Sequence, residues 1–149
     1  MSEEGKKRFT FRSAVFLVLR DGNKVLLGKR ISEHENGNYG LVCGHLDGEE
    51  TAEQGIVREA KEEAGIDIDP KDLRVLHVMH ANIRDGAGEY FNVYLTTDSW
   101  KGEITNMELD KCESLDWFDR NNLPENTIKY VRQALDCIDK GIFYSNFGF

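Results

Sequence analysis

Glu59, Glu62 and Glu63 stand at i, i+3 and i+4 of a segment with helical spacing, so their carboxylates share one face with Cβ atoms about 5–6 Å apart. Like charges so placed repel. A helix accepts that cost where a hard cation sits between the oxygens, and carboxylates on an acidic loop and helix suit Mg2+ or Mn2+ rather than a soft metal. The surrounding charge agrees: residues 44–66 carry seven acidic side chains against two basic ones, a net −5 out of the chain's −8. A solvated acidic face, eased by Arg58 and Lys61, would have the same composition, so the spacing of the neighbouring residues has to decide.

The elements that must hold these carboxylates can be read along the chain. A helix is expected over 51–64, where Ala52, Ile56, Ala60 and Ala64 recur every four residues and turn one stripe to a sheet. Thr51 is the N-cap and Gly65 the stop. Upstream, 13–19 reads as a buried strand closed by Asp21-Gly22-Asn23 and answered in a hairpin by 24–28. A polar loop over 31–40 then leads to a short strand near 41–43. Downstream, 73–83 and 90–97 read as an antiparallel pair joined by Arg84-Asp85-Gly86-Ala87-Gly88. Residues 100–111 are polar and irregular, 114–118 is a strand, and Ile128, Val131, Leu135 and Ile138 put a second helix over 127–140. No repeat, low-complexity tract or linker divides the chain, so one α/β domain over 1–149 is expected, with a mixed sheet between helices.

Gly44, five residues, Glu50, seven residues, then Arg58-Glu59-Ala60-Lys61-Glu62-Glu63-Ala64-Gly65-Ile66 resembles the Nudix box, GX5EX7REUXEEXGU with U apolar, at every defined position. The protein is similar to MutT-like Nudix hydrolases, and the flanking strands and final helix extend the likeness across most of 13–140. The resemblance implies a Nudix-type α/β/α sandwich whose residues 44–66 form a loop, helix and loop binding Mg2+, with Mn2+ as the alternative. It also implies the reaction. Water attacks a phosphorus of a nucleoside diphosphate linked to a group X; a nucleoside triphosphate gives the monophosphate and pyrophosphate, a housekeeping or pool-sanitising hydrolysis. ADP-ribose, a nucleotide sugar, a dinucleoside polyphosphate and dihydroneopterin triphosphate are alternative substrates of the same site. A non-catalytic, nucleotide-holding regulatory module is the alternative of another class, and the intact Arg58-Glu59 and Glu62-Glu63 pairs speak against it.

Carried onto this sequence, the resemblance makes Glu59, Glu62 and Glu63 metal ligands, with the Gly44 carbonyl as a backbone ligand. It makes Glu50 and Arg58 an ion pair that orients the loop against the helix. Glu108, beyond Trp100-Lys101-Gly102-Glu103, is the candidate that approaches the metal and activates the water, with Glu103 behind it. Arg30 is expected to fork the substrate's phosphates, and Asn126 to meet the base or else to serve as a cap or turn residue. His45 is close enough for a phosphate contact. Phe9, Phe11, Tyr39, Tyr90 and Phe91 could stack on a base or belong to the core. Val42 and Cys43 depart from the small residues and proline that many relatives carry before the box glycine.

Composition bounds the rest. A chain of 149 residues with 40% apolar side chains buries roughly 70% of its unfolded surface without staples. Its negative charge repels nucleic-acid backbones, which argues against a duplex-binding module but does not forbid a small phosphorylated ligand with a divalent cation between the charges; that the ligand is a small-molecule nucleotide is what the resemblance implies. The longest wholly apolar run, 14–19, falls far short of the roughly 20 residues of a membrane span. The polar leader 1–8, expected to be flexible, does not read as a secretory signal, so a cytoplasmic location is expected. Cys43, Cys112 and Cys137 form no closely spaced pair and are expected as reduced thiols, not as a structural zinc site with His34, His45, His77 or His80. His77 and His80 should point to opposite faces of a strand. The aromatic tail 141–149 should pack on the domain or on a partner chain, which is compatible with a homodimer.

Overall fold

The computed structural model describes residues 5–84 and 86–149; Asp85 and residues 1–4 of the leader lie outside the described residues. Strand β1 (Arg12–Leu17) turns Ala14 and Phe16 into one apolar cluster and Val15 and Leu17 into another, all four buried. A strand covered on both faces reads as an unbroken apolar run. It lies between β5 and β7 in a five-stranded mixed sheet of order β5-β1-β7-β6-β9, formed with β5 (Val42–His45), β6 (Arg74–Asn82), β7 (Glu89–Thr96) and β9 (Tyr144–Phe147). The β1/β7 and β6/β9 pairs are parallel, whereas β1/β5 and β6/β7 are antiparallel.

Helix α1 (Ala52–Ala64) covers one face, burying Ile56, Ala60 and Ala64 among Val15, Leu17 and Leu95. Helix α2 (Lys129–Asp139) covers the other, placing Val131, Ala134 and Leu135 against Phe16, Met79 and Tyr94. The result is the expected α/β/α sandwich. The ends of α1 follow from local chemistry: Thr51 Oγ accepts from the Gln54 N–H at 3.1 Å while the Gln54 side chain accepts from the Thr51 N–H at 2.9 Å, a closed capping box. Gly65 stops the helix in the left-handed region, at φ 70°, where a Cβ is unfavourable.

The expected mixed sheet between the helices is present, and a second sheet stands beside it. The second sheet centres on β3 (Lys24–Arg30), with β8 (Cys112–Asp119) along one edge and β2 (Arg20–Asp21) and β4 (Tyr39–Gly40) along the other. The Asp21-Gly22-Asn23 turn does close a hairpin, but between β2 and β3; β1 belongs to the other sheet. The chain changes sheets at Val18 and Leu19, where Val18 N–H donates to Leu95 O at 2.8 Å and Leu19 O accepts from Leu26 N–H at 3.1 Å. An apolar run satisfied on both sides can serve two sheets in succession, and its composition does not mark the crossing.

The tail packs on the domain: β9 extends the first sheet alongside β6, and the Phe149 ring lies 4.7 Å from His80. His77 and His80 occupy opposite faces of β6. His77 is buried with its ring nitrogens 2.8 Å from Ile142 O and from Ser145 Oγ, so it anchors the tail, while His80 stacks on Phe91 at 4.6 Å. No helix among the described residues is long and apolar enough to cross a membrane.

Candidate functional site

Between the C-terminal half of α1, strand β5 and the start of β8 lies a cavity of about 490 Å3. Glu59, Glu62 and Glu63 reach it from the exposed edge of α1, whose opposite stripe is locked into the core. Glu108 reaches it from the irregular segment before β8. That segment is pinned to the end of α1 by Thr105 N–H donating to Ala64 O at 2.9 Å and Met107 N–H donating to Glu63 O at 3.1 Å. Four carboxylates from two segments therefore line one space.

The loop side is built to meet them. A Cβ on Gly44 would overlap the Glu59 carboxyl group, so only glycine lets β5 approach the helix this closely. Glu63 Oε2 accepts from the Cys43 N–H at 3.1 Å. Arg58 ties loop and helix together. Its guanidinium forks Glu50, Nη2 to Oε1 at 2.8 Å and Nε to Oε2 at 3.4 Å, donates to His45 O at 3.2 Å, and reaches Glu59 at 2.6 Å and Glu62 at 3.8 Å. The Arg58 fork holds the Glu50 carboxyl below its ordinary range.

Burial and crowding act the other way on the inner carboxylates. Glu63 is pushed up from 4.5 to about 9, first by burial and then by the charges of Glu59 and Glu108. Glu59 is also raised, by burial, against the pull of Arg58. The two carboxyl groups act on each other as well, and Glu63 keeps its proton at neutral pH in the chain alone. Among the described residues no three carboxylate, imidazole or thiol groups already converge on one point; Glu59 is instead paired with Arg58 at 2.6 Å. The donor set is nevertheless all oxygen, half-buried and overcharged. It fits a hard divalent cation, with the exposed Glu62 side chain free to swing inward.

Arg30, at the end of β3, also lines the cavity, its guanidinium donating to Ser32 Oγ at 3.3 Å and to His34 O at 3.2 Å. His45 lines it beside the Tyr90 hydroxyl, 3.4 Å away. Asn126 is not brought there. Its side-chain amide donates to Gly37 O at 2.8 Å and its backbone carbonyl accepts from Tyr39 N–H at 3.1 Å, tying the turn before α2 to β4, and it caps no helix. Glu103 is exposed and away from the cavity. Of the aromatic candidates only Tyr90 lines the cavity; Phe9, Phe11 and Phe91 cluster with His80 on another surface, and Tyr39 packs on Phe118. The Cys43 thiol, pushed up to about 12 by burial, is neutral.

Residues that the motif did not point to complete the wall, among them His34, Asn92, Lys111 and Tyr130. Asn92 left one trace in the sequence, a polar residue at a buried parity of an apolar strand.

Residues 10–136 match the family model of the NUDIX domain. An ADP-ribose pyrophosphatase of Methanocaldococcus jannaschii is 34% identical over 112 residues, 75% of this chain and 64% of that one. The NAD-capped RNA hydrolase NudC of Vibrio atlanticus is 26% identical over 133 residues, 80% of this chain and 46% of that one. The matched stretch thus spans about half to under two thirds of these curated relatives. The crystal structure of a MutT NUDIX hydrolase from Burkholderia pseudomallei has a TM-score of 0.79 at 26% identity, covering 86% of this chain and 98% of that one.

Proposed function

The chain belongs to the Nudix family, and from that premise we propose that it is a divalent-cation-dependent pyrophosphohydrolase. Its substrate is a nucleoside diphosphate linked to a group X, with a nucleoside triphosphate, cleaved to monophosphate and pyrophosphate, as the leading case. The observation that supports this most is the meeting of Glu59, Glu62, Glu63 and Glu108 around one cavity over the Gly44 cradle. A site that merely held a nucleotide would have no use for carboxylates forced together at the cost of a proton. ADP-ribose is the second reading, favoured by the activity named for the archaeal relative.

In this reading Glu59, Glu62, Glu63 and the Gly44 carbonyl hold the cation, Mg2+ in the first instance and Mn2+ as the alternative. Bound there, it neutralises phosphate oxygens, lowers the pKa of water and eases departure of the leaving group. The chain supplies the rest. Arg30, already oriented by Ser32 and His34 and lying beside Cys43, binds the anionic chain. The Glu108 carboxylate, on a segment clamped to α1, takes the proton of the attacking water as the new P–O bond forms. The electron pair of the broken P–O bond leaves with pyrophosphate or the X-bearing phosphate. Arg58 and Glu50 are positioning residues that fix where the ligands of α1 stand relative to the loop.

The test is hydrolysis of a panel of nucleoside triphosphates, ADP-ribose, sugar nucleotides and dinucleoside polyphosphates, with Mg2+, with Mn2+ and with chelator. We expect at least one to be cleaved only with metal, and Glu62→Gln to lose about 100-fold or more of that rate. Cleavage of nothing in the panel sinks the hydrolase reading. Equal cleavage by the variant sinks the ligand assignment.

A further inference from the structure

Among the described residues, the buried side-chain polar atoms without a hydrogen-bond partner are Asn92 Nδ2 and Oδ1. Asn92 is 1% exposed on β7 and lines the same cavity as the four carboxylates. Its neighbours in register are Ala14 on β1 and Met79 on β6, neither with a group that satisfies an amide. The Tyr94 hydroxyl lies near the Asn92 amide but directs its proton at the Met79 sulfur 3.9 Å away, and no geometry that qualifies as a hydrogen bond joins it to Asn92. A folded chain rarely leaves a buried carboxamide without partners, and where it does, something outside the chain completes the bonds.

The surroundings describe that something. Ala14, with only a methyl group, leaves room beside the amide, and Phe16, Tyr90 and Tyr130 supply ring faces and edges around the space. A slot of aromatic walls with one donor and one acceptor side by side suits a flat heteroaromatic ring with a hydrogen-bonding edge, and an asparagine carboxamide pairs with such an edge in bidentate fashion. The position along the sheet also fits. Gly44 lies opposite Val15, and Ala14 lies beside Asn92, so the two backbones stand two strand spacings and one residue apart, about 10 Å, the cradle on the α1 side and Asn92 on the α2 side, with the cavity lined by both round the edge strand β5. A nucleotide bridges such a gap between its base edge and its phosphates.

We propose that Asn92 is the base-reading residue of this site, its amide donating to and accepting from the edge of a nucleobase held in the slot while the phosphates lie over the carboxylates. The inference rests on the nucleotide-hydrolase reading and goes beyond it in assigning specificity to a strand residue outside the Nudix box.

The test is calorimetric binding of AMP, GMP, CMP, UMP and ribose 5-phosphate to the wild type and to Asn92→Leu, with thermal unfolding of both free proteins. AMP and GMP share ring size, as do CMP and UMP, so a preference within either pair reports the edge and not the stacking. Wild type should prefer one member of a pair by about 10- to 100-fold. Asn92→Leu should flatten that preference, bind ribose 5-phosphate unchanged and melt no lower than wild type, since it removes an unsatisfied amide. Asn92→Ala takes its place should leucine overfill the slot. A flat wild-type panel overturns the proposal, as does a variant that keeps the preference or loses ribose 5-phosphate equally. Hydrolysis in the panel above is read separately: a cleaving wild type without base preference refutes only the role of Asn92, and a base-selective wild type that cleaves nothing refutes only the hydrolase.

Discussion

Replacing Glu63 by Gln should stabilise the metal-free protein at neutral pH, although the proposed function makes Glu63 a cation ligand. The Glu63 carboxyl is raised from 4.5 to about 9 in the fold, so between those values the folded chain keeps a proton that the unfolded chain releases. The unfolded state then binds fewer protons, and stability falls as pH rises through this window. From 4.5 to 7, at about 1.4 kcal/mol per pH unit, the cost accumulates to about 3 kcal/mol. Glutamine keeps the oxygen that accepts from the Cys43 N–H and has nothing to ionise, so Glu63→Gln should recover about that amount at pH 7 and nothing near pH 4. For a chain of this length the gain corresponds to a rise in Tm of roughly 6–12 °C. The measurement is thermal or urea unfolding of both proteins in chelator from pH 4 to 8. Mg2+ at a thousand times the wild-type Kd should reverse the order, because a cation held by the ionised site then stabilises wild type by about 4 kcal/mol, more than the variant's advantage, and the variant has lost a proposed ligand. A Tm difference independent of pH, or a variant less stable than wild type in chelator at pH 7, would refute the reasoning.

Gly44→Ala pushes a methyl group into the Glu59 carboxyl, the mobile end of a side chain. It should leave Tm within a few degrees while lowering kcat about 100-fold, the typical cost of a displacement near 1 Å at a reacting centre; an unimpaired enzyme would show that the cradle does not matter. Ile56→Ala opens a cavity beneath α1, where Ile56 is fully buried. It should cost about 2–4 kcal/mol, seen as a lower urea midpoint at unchanged slope.

The elements around the site differ in how far they could be read in advance. Helix α1 was legible to the residue, because a Thr51 cap, a four-residue apolar repeat and a Gly65 stop act over single turns of the same segment. The Glu50–Arg58 pair was legible from the family signature, and the structure forms it as a fork. Asn126 could be read only as a base contact or as a cap or turn residue; the structure has it in a turn, and what it holds there was not legible because its partner, Gly37 O, lies 89 positions away. The change of sheet after Val18 was invisible for a related reason: both sheets satisfy the same apolar residues, and only the partners Leu95 and Leu26 reveal where one ends.

What the sequence determined by itself is everything carried by short-range geometry: the helix with its caps, the spacing that lines up Glu59, Glu62 and Glu63, and the turns between neighbouring strands. Tertiary structure alone decided which distant groups share the cavity with them. Glu108 arrives because residues 105 and 107 hydrogen-bond to the end of α1, and Asn92 because β7 lies parallel to β1 with its amide beside Ala14. Local periodicity sets the face on which a side chain lies, but the choice of what faces it follows from long-range strand pairing, whose register no single segment contains.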